Sequence, residues 1–599
     1  MRKSWSPSLA FGLSFLKAYL HYSEYLTIEE IQGRSRSIPF MTAPFGIRVH
    51  KIKVPVVPYR IKAESMVNDC LTVEEKELVY PRMKFDNCKN SLTRNQNNFN
   101  PHGHGAGDKR LKDLNAEWLE STGADIETGT ETPNENYGAV IYFHGGGYYT
   151  GSKEEHRVLL GPLVKRLGKK IRVLNVGYRL APQDPFPAAL VDALSCYMWV
   201  MDQSVSEVFG LDNPEIGRND RFQPNQIVFM GDSAGSGLVF SLCLLLRDHN
   251  TIPQPLAVVA WSPWLDLTQS LPSFEEHGPT DCIPYENFVH KHSAAVDQMF
   301  ESQEKCCGED GEPSTELKVR QRAQLYCPDS CLRIKYVSPL FETDFRGITD
   351  IFITCGSAER FYNECVLMAA HLEQQQQSCR IDIHEEMPHI FQLFRYHPSA
   401  STSLDRSSDY IREMVNRDVE RSDEGNIVIP INPSSSSSSS GSASPALSSV
   451  SYERSMTNPA STDISGGQEI RHEADIIPPS IQRTNSSLSA TSATPEGSTA
   501  TVASVHPEKQ SLLSRHSNRG TGMKTTVNVV DQSGICVVNN IKKRDSFGSI
   551  GISGLGKTSS ARERRNLTLR DIVTDARLYK WEILLKQGSV PTRHWPDHR

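Results

Sequence analysis

Gly231-Asp232-Ser233-Ala234-Gly235 is the stretch of this chain whose residue types and spacing could do chemistry. A serine between small residues can occupy a strained strand-to-helix turn that exposes its hydroxyl as a nucleophile. The apolar run Gln226–Met230 precedes the motif and an apolar helical pattern follows it, which is the setting such an elbow needs. The helix N-terminus and the amide of Ala234 then lie where an oxyanion would develop. A second constellation, His144-Gly145-Gly146-Gly147, directly follows the apolar run Ala139–Phe143. Consecutive glycines let backbone N–H groups approach a ligand with no Cβ in the way. Either motif alone is compatible with an inert turn. Within one succession of strands and helices, they form a nucleophile and an oxyanion hole suited to acyl transfer.

The elements that must position them are short β-rich runs: Ala139–Phe143, Arg172–Val176, Gln226–Met230, Leu256–Trp261, Ile351–Cys355 and Arg380–His384. Helix-length segments such as His156–Leu167, Ala188–Asp202 and Gly235–Asp248 separate most of them, so the pattern predicts an α/β fold with a mainly parallel sheet and helices on both faces. Arg48 to Ile61 alternates like strands broken by Pro55 and Pro58. Trp5, Leu9, Leu13, Leu16 and Leu20 recur at helical spacing and predict an amphipathic helix, packed on its own domain or lying at an interface. Its apolar stretch is well short of the ~20 residues a spanning helix needs. Residues 275–335 break the strand-helix rhythm and read as an insertion or lid.

Taken together these motifs resemble the hormone-sensitive-lipase branch of the α/β-hydrolase fold, which includes esterases, arylacetamide deacetylases and steryl acetyl hydrolases. The similarity runs through His144–Gly147 with Gly151-Ser152, Tyr178–Pro182, Phe186–Ala189, Gly231–Gly235, Ser262–Asp266, Ser338–Leu340 and Met387–His389, in family order. It implies a Ser-acid-His triad with each member after a strand. His389 matches the family's catalytic histidine. The acid falls three residues after Gly356, at Glu359, with Glu364 as the alternative. Amides of Gly145, Gly146 and Ala234 are expected to hold the oxyanion, with His144, Gly147 and Asp232 as supports. Neighbouring side chains on a tight elbow point apart, so Asp232 is read as bracing the oxyanion loop or helix start rather than as the acid. Asn363, where relatives often carry an acid, and Ser236, where glycine is common, are departures.

The implied reaction is hydrolysis of short-acyl or lipophilic carboxylic esters, acetylated sterols among them, with no metal or organic cofactor. The alternative is a non-catalytic ligand-binding protein on the same fold. Two local patterns invite other readings: His102 and His104 lack further metal ligands, and Gly551–Thr558 fits a phosphate loop without a convincing preceding strand.

Composition bounds the rest. The 599 residues carry a net charge of −7, which argues against nucleic-acid binding by the whole molecule, and 13 cysteines in no regular framework suit a reducing compartment. Residues 1–60 are expected to form the N-terminal helix and cap region, 61–400 the catalytic domain, and 401–599 a Ser/Thr/Pro-rich, largely disordered tail. Within that tail, Leu567–Lys586 has the spacing of a late amphipathic helix, and residues 501–599 carry 17 basic against 8 acidic side chains. The basic end suits an anionic membrane surface, and Ser486 and Ser546 sit in basophilic kinase contexts. A chain ending near residue 424 is expected to keep its activity. The corresponding location is intracellular, either cytoplasmic or peripherally attached to a membrane such as endoplasmic reticulum or lipid droplet.

Overall fold

The computed structural model describes residues 5–23, 26–37, 45–55, 59–80, 113–122, 138–201, 221–283, 324–424, 525–539 and 576–593. All belong to one compact unit that spans Met1–Ile427 and His516–Arg599, while a second unit, Val428–Arg515, lies outside the described residues.

Ten strands form one sheet: β1 (Ile47–Val54), β2 (Leu114–Ser121), β3 (Gly138–Phe143), β4 (Ile171–Gly177), β5 (Ile227–Asp232), β6 (Ala257–Trp261), β7 (Asp350–Gly356), β8 (Cys379–His384), β9 (Thr526–Val530) and β10 (Cys536–Asn539). Their order is β1-β2-β4-β3-β5-β6-β7-β8-β9-β10. From β4 to β9 neighbours run parallel. The pairs β1/β2, β2/β4 and β9/β10 are antiparallel.

Every residue of β3, β5 and β6 is buried. Such strands need cover on both faces. Ala188–Val200, Ala234–His249 and Tyr362–Gln374 supply it on one side, contributing residues such as Leu194, Leu242 and Leu367 to the larger core. On the other, Lys153–Leu167 and Pro398–Glu424 pack Leu160, Leu163, Ile411 and Met414 against Val140, Val228 and Val259. The expected strands from Ala139–Phe143 to Arg380–His384 are all present, and the molecule is an α/β hydrolase in fold.

Some expectations change. In Arg48–Ile61 only the first half is strand, and the chain after Pro58 is the helix Tyr59–Cys70. β1 belongs to the sheet, so residues 1–60 are more than a cap. β2 escaped the sequence reading because polar Asn115, Glu117 and Glu120 interrupt its apolar residues. Glu117 is nonetheless buried, accepting from Arg157 Nε at 2.8 Å. The hydrolase unit also does not end at residue 400. Helix Pro398–Glu424 covers the sheet, and β9, β10 and the helix Ala576–Lys586 pack on it from within the range read as a tail. His102, His104, Gly551–Thr558, Ser486, Ser546 and the start of Leu567–Lys586 lie outside the described residues.

Candidate active site

β5 delivers the chain into the elbow, and Ser233 sits there at φ 53° and ψ −122°, a left-handed conformation that costs a non-glycine residue roughly 1–3 kcal/mol. Two glycines make the turn sterically possible. A Cβ on Gly231 would meet the backbone of Gly235, and one on Gly235 would run into the Phe143 carbonyl. The Ser233 amide donates to the Trp261 carbonyl at 2.9 Å, and its carbonyl accepts from Trp264 N at 3.1 Å. The neighbouring strand thus holds the strained residue in place.

His389 follows β8 in the loop before Phe391–Leu393, and its Nε2 lies 3.0 Å from Ser233 Oγ. Burial pushes its pKa below the ordinary histidine value, against the attraction of Asp281 and Asp232, so the resting ring is neutral and able to accept a proton. Glu359, on the turn after β7, places Oε2 4.0 Å from His389 Nδ1. That is ion-pair distance rather than a hydrogen bond, and His389 Nδ1 makes no hydrogen bond among the described residues. The Glu359 carboxylate is held by Ser262 Oγ at 2.7 Å and Gly356 N at 3.1 Å. Burial and Asp281 raise its pKa well above the usual carboxylate value, with those two donors opposing.

Glu364 faces elsewhere. Its Oε2 accepts from the amides of Leu265 at 2.5 Å and Asp266 at 2.8 Å, so it braces the turn after β6. Asn363 accepts from Ser273 N at 2.8 Å, and Ser236 Oγ donates to the Trp261 carbonyl at 3.2 Å. Both departures from the family pattern therefore serve local backbone.

The glycine loop corrects one expectation. The Gly145 amide donates to Asp232 Oδ1 at 2.8 Å and so is not open to a substrate oxyanion. Gly146 and Gly147, at φ 108° and 61°, are the glycines of that loop that line the cavity containing Ser233. His144 is packed away behind them. Its ring stacks on Tyr178 at 4.4 Å, its Nδ1 pairs with the Gly145 carbonyl at 2.7 Å, and burial lowers its pKa to about 3.

Asp232 is the hub that ties elbow to loop, since Oδ1 also accepts from the Tyr142 hydroxyl and stands 3.6 Å from His156 Nε2. Burial disfavours a charge on His156, but the Asp232 carboxylate outweighs it and raises the pKa to about 9. Sequence reading missed His156, Tyr142 and Asp281. Asp281 is fully buried, with Oδ1 accepting from His389 N at 3.0 Å and Oδ2 from Arg360 N at 2.5 Å. It stitches the histidine loop to the residue after Glu359. It falls in the stretch read as lid, where nothing local distinguishes it from a surface acid.

The cavity over Ser233 measures about 280 Å³. Its walls include Leu16, Tyr19 and Leu20 of the N-terminal helix, Trp264, Phe361, and Ile283 at the edge of the 275–335 segment. Most of these are apolar, and Arg34, Glu155 and His156 add charged or polar groups to the lining.

Comparison with known proteins agrees with this architecture. A family model described as alpha/beta hydrolase fold matches residues 140–288 and 292–393. An acetyl-hydrolase of Streptomyces hygroscopicus is 27% identical over 285 residues, covering 47% of this chain and 73% of that protein. An ethyl acetate hydrolase of Pseudomonas putida is 34% identical over 140 residues, 23% of this chain and 39% of that one. Among solved structures, an esterase of the bacterial hormone-sensitive lipase family is 19% identical, with a TM-score of 0.43, 69% coverage of this chain and 99% of that one. The family match and the parallel sheet define the class as an α/β hydrolase in fold. The chain is an enzyme of the carboxylesterase or lipase type.

Proposed function

We propose that the chain hydrolyses carboxylic esters through Ser233, His389 and Glu359. Ser233 Oγ attacks the ester carbonyl as His389 Nε2 takes its proton, and the resulting imidazolium is stabilised by Glu359 across Nδ1. Amides of Gly146, Gly147 and Ala234 receive the oxyanion. Collapse expels the alcohol with the proton returned by His389. Water activated by the same base then releases the acid and restores Ser233.

The observation that carries this reading is the 3.0 Å approach of His389 Nε2 to Ser233 Oγ on a positive-φ elbow. An imidazole depressed by burial and a nearby buried carboxylate support it. Short acyl groups are the favoured substrates, because relatives include an acetyl-hydrolase and an ethyl acetate hydrolase. The apolar cavity favours a lipophilic alcohol portion, acetylated sterols included.

The test is a hydrolysis panel of p-nitrophenyl esters of graded acyl length beside acetylated sterol and glyceride. Turnover should be greatest at short acyl chains, and Ser233→Ala or His389→Ala should each lower kcat by on the order of 10⁴-fold. Turnover near wild type in either variant overturns the proposal.

A further inference from the structure

The N-terminal helix Pro7–Ser23 has two apolar faces and buries only one of them against the protein. Trp5, just before it, and Leu9 and Leu13 pack with Met387, Phe391 and Phe394, and Trp5 Nε1 donates to the Glu386 carbonyl at 2.9 Å. The other face presents Phe11, Phe15 and Tyr19, four residues apart and so aligned along one side. They are 74%, 68% and 42% exposed, and Tyr22, 54% exposed, continues the row. Lys17 is the helix's only lysine, and no arginine, aspartate or glutamate accompanies it. Its Nζ is drawn away to the carbonyls of Gly278 at 3.4 Å and Pro279 at 2.9 Å, so the helix's lysine does not interrupt the aromatic row. Tyr396 and Leu393 widen the patch: both are exposed, and the Tyr396 hydroxyl donates to the Ser8 carbonyl at 2.8 Å. Exposed aromatic rows of this kind mark contact surfaces.

The mouth of the Ser233 cavity identifies the contact. Tyr19, Tyr22 and Leu393 belong both to the exposed patch and to the cavity lining, so the active site opens inside the apolar surface. We propose that the Phe11–Phe15–Tyr19 face docks the enzyme on a phospholipid bilayer, its rings entering the boundary between headgroups and acyl chains. A lipophilic ester then reaches Ser233 without crossing water. Aromatic side chains with polar tips suit that boundary, as does a helix lying flat in it. The Arg34 guanidinium, 5.4 Å from the Tyr22 ring centre, stands at the rim where phosphates would lie. Among the described residues no helix is long and apolar enough to cross a membrane, so the contact is with the surface layer. A water-soluble partner or a second copy would explain the apolar row but not the opening of the cavity within it. The proposal rests on the ester-hydrolase reading for what passes into the cavity, though not for the docking itself.

Co-sedimentation of the full-length protein with phosphatidylcholine vesicles, for wild type and Phe11→Ser/Phe15→Ser, is the test. Neither phenylalanine lines the cavity, so hydrolysis of a water-soluble short ester should stay within about two-fold of wild type. Wild type should bind the vesicles at least about ten-fold better than the variant, with little change between low and high salt. The docking proposal falls if wild type does not sediment with vesicles, if the variant sediments equally, or if salt abolishes binding, which would point to the basic C-terminal segment instead. It also falls if light scattering without vesicles shows a dimer that the double substitution dissolves. Vesicle binding by a chain that hydrolyses no ester would leave the docking intact and sink the ester reading.

Discussion

At the residue scale the site depends on which carboxylate faces His389. Glu359 lies 4.0 Å from Nδ1, whereas Glu364 is committed to two backbone amides. Glu359→Gln should therefore lower kcat by roughly 10³–10⁴-fold with the fold retained, because the imidazolium loses its partner. Glu364→Gln should leave kcat within several-fold and lower Tm instead, since it weakens two charge-assisted bonds in the core. Steady-state kinetics beside thermal melts separate the two, and reversed effects would mean that Glu364 holds the histidine. His389 adds a pH signature. Its pKa is depressed by burial, so the neutral base persists into acid, and the acid limb of kcat/KM should have its midpoint below about pH 6.5. A midpoint above 7 would contradict the buried, neutral ring. Ser233 stood out in the sequence because its motif sits between an apolar strand and an apolar helix, whereas His389 was singled out only by its match to the family pattern. Asp281 was not, because its partners, His389 N and Arg360 N, are brought to it only by the fold. The Gly145 assignment failed for the same reason: a run of glycines does not say which amide a buried carboxylate has already claimed.

At the scale of elements, β3 and β5 lie side by side, and Asp232 at the end of β5 bridges to Tyr142 on β3, Gly145 on the loop and His156 on the helix Lys153–Leu167. His156 carries a folded-state pKa of about 9, above its ordinary value near 6.5. A raised histidine stabilises the fold in full below the unfolded value and loses that contribution as pH climbs through the folded one. The Tm difference between wild type and His156→Gln should accordingly be largest near pH 6 and shrink between about 6.5 and 9. A difference that grows with pH would show that His156 is not held charged by Asp232. Strands β3, β5, β6 and β7 were readable because strands buried on both faces are nearly continuous apolar runs, while β4 and β8 carry polar residues but keep the β-rich spacing between helices. β9 and β10 were hidden, since four or five residues around Val527 and Val537 carry too little signal within a Ser/Thr-rich context.

Across the whole molecule those hidden strands change the expected effect of truncation. Val527 and Val530 are buried, Asn528 reaches Asp382 at 2.6 Å, and Trp581 Nε1 donates to Ser270 Oγ at 2.7 Å beside Gln269, which lines the cavity. A chain ending at residue 424 should therefore lose stability and activity together, contrary to what composition suggests. Removal of 430–515 alone, from the separate unit, should leave Tm and turnover near wild type. Equal melting of the 424-residue chain and the full protein would show that β9, β10 and Ala576–Lys586 contribute nothing to the hydrolase unit. The central claim is that Ser233 is a nucleophile activated by His389, and a fluorophosphonate that phosphonylates activated serines tests it most directly when the adduct is mapped by peptide mass spectrometry. One adduct per chain is expected, on Ser233, absent in Ser233→Ala and formed far more slowly in His389→Ala. An unlabelled Ser233, or labelling as fast without His389 as with it, would contradict the account.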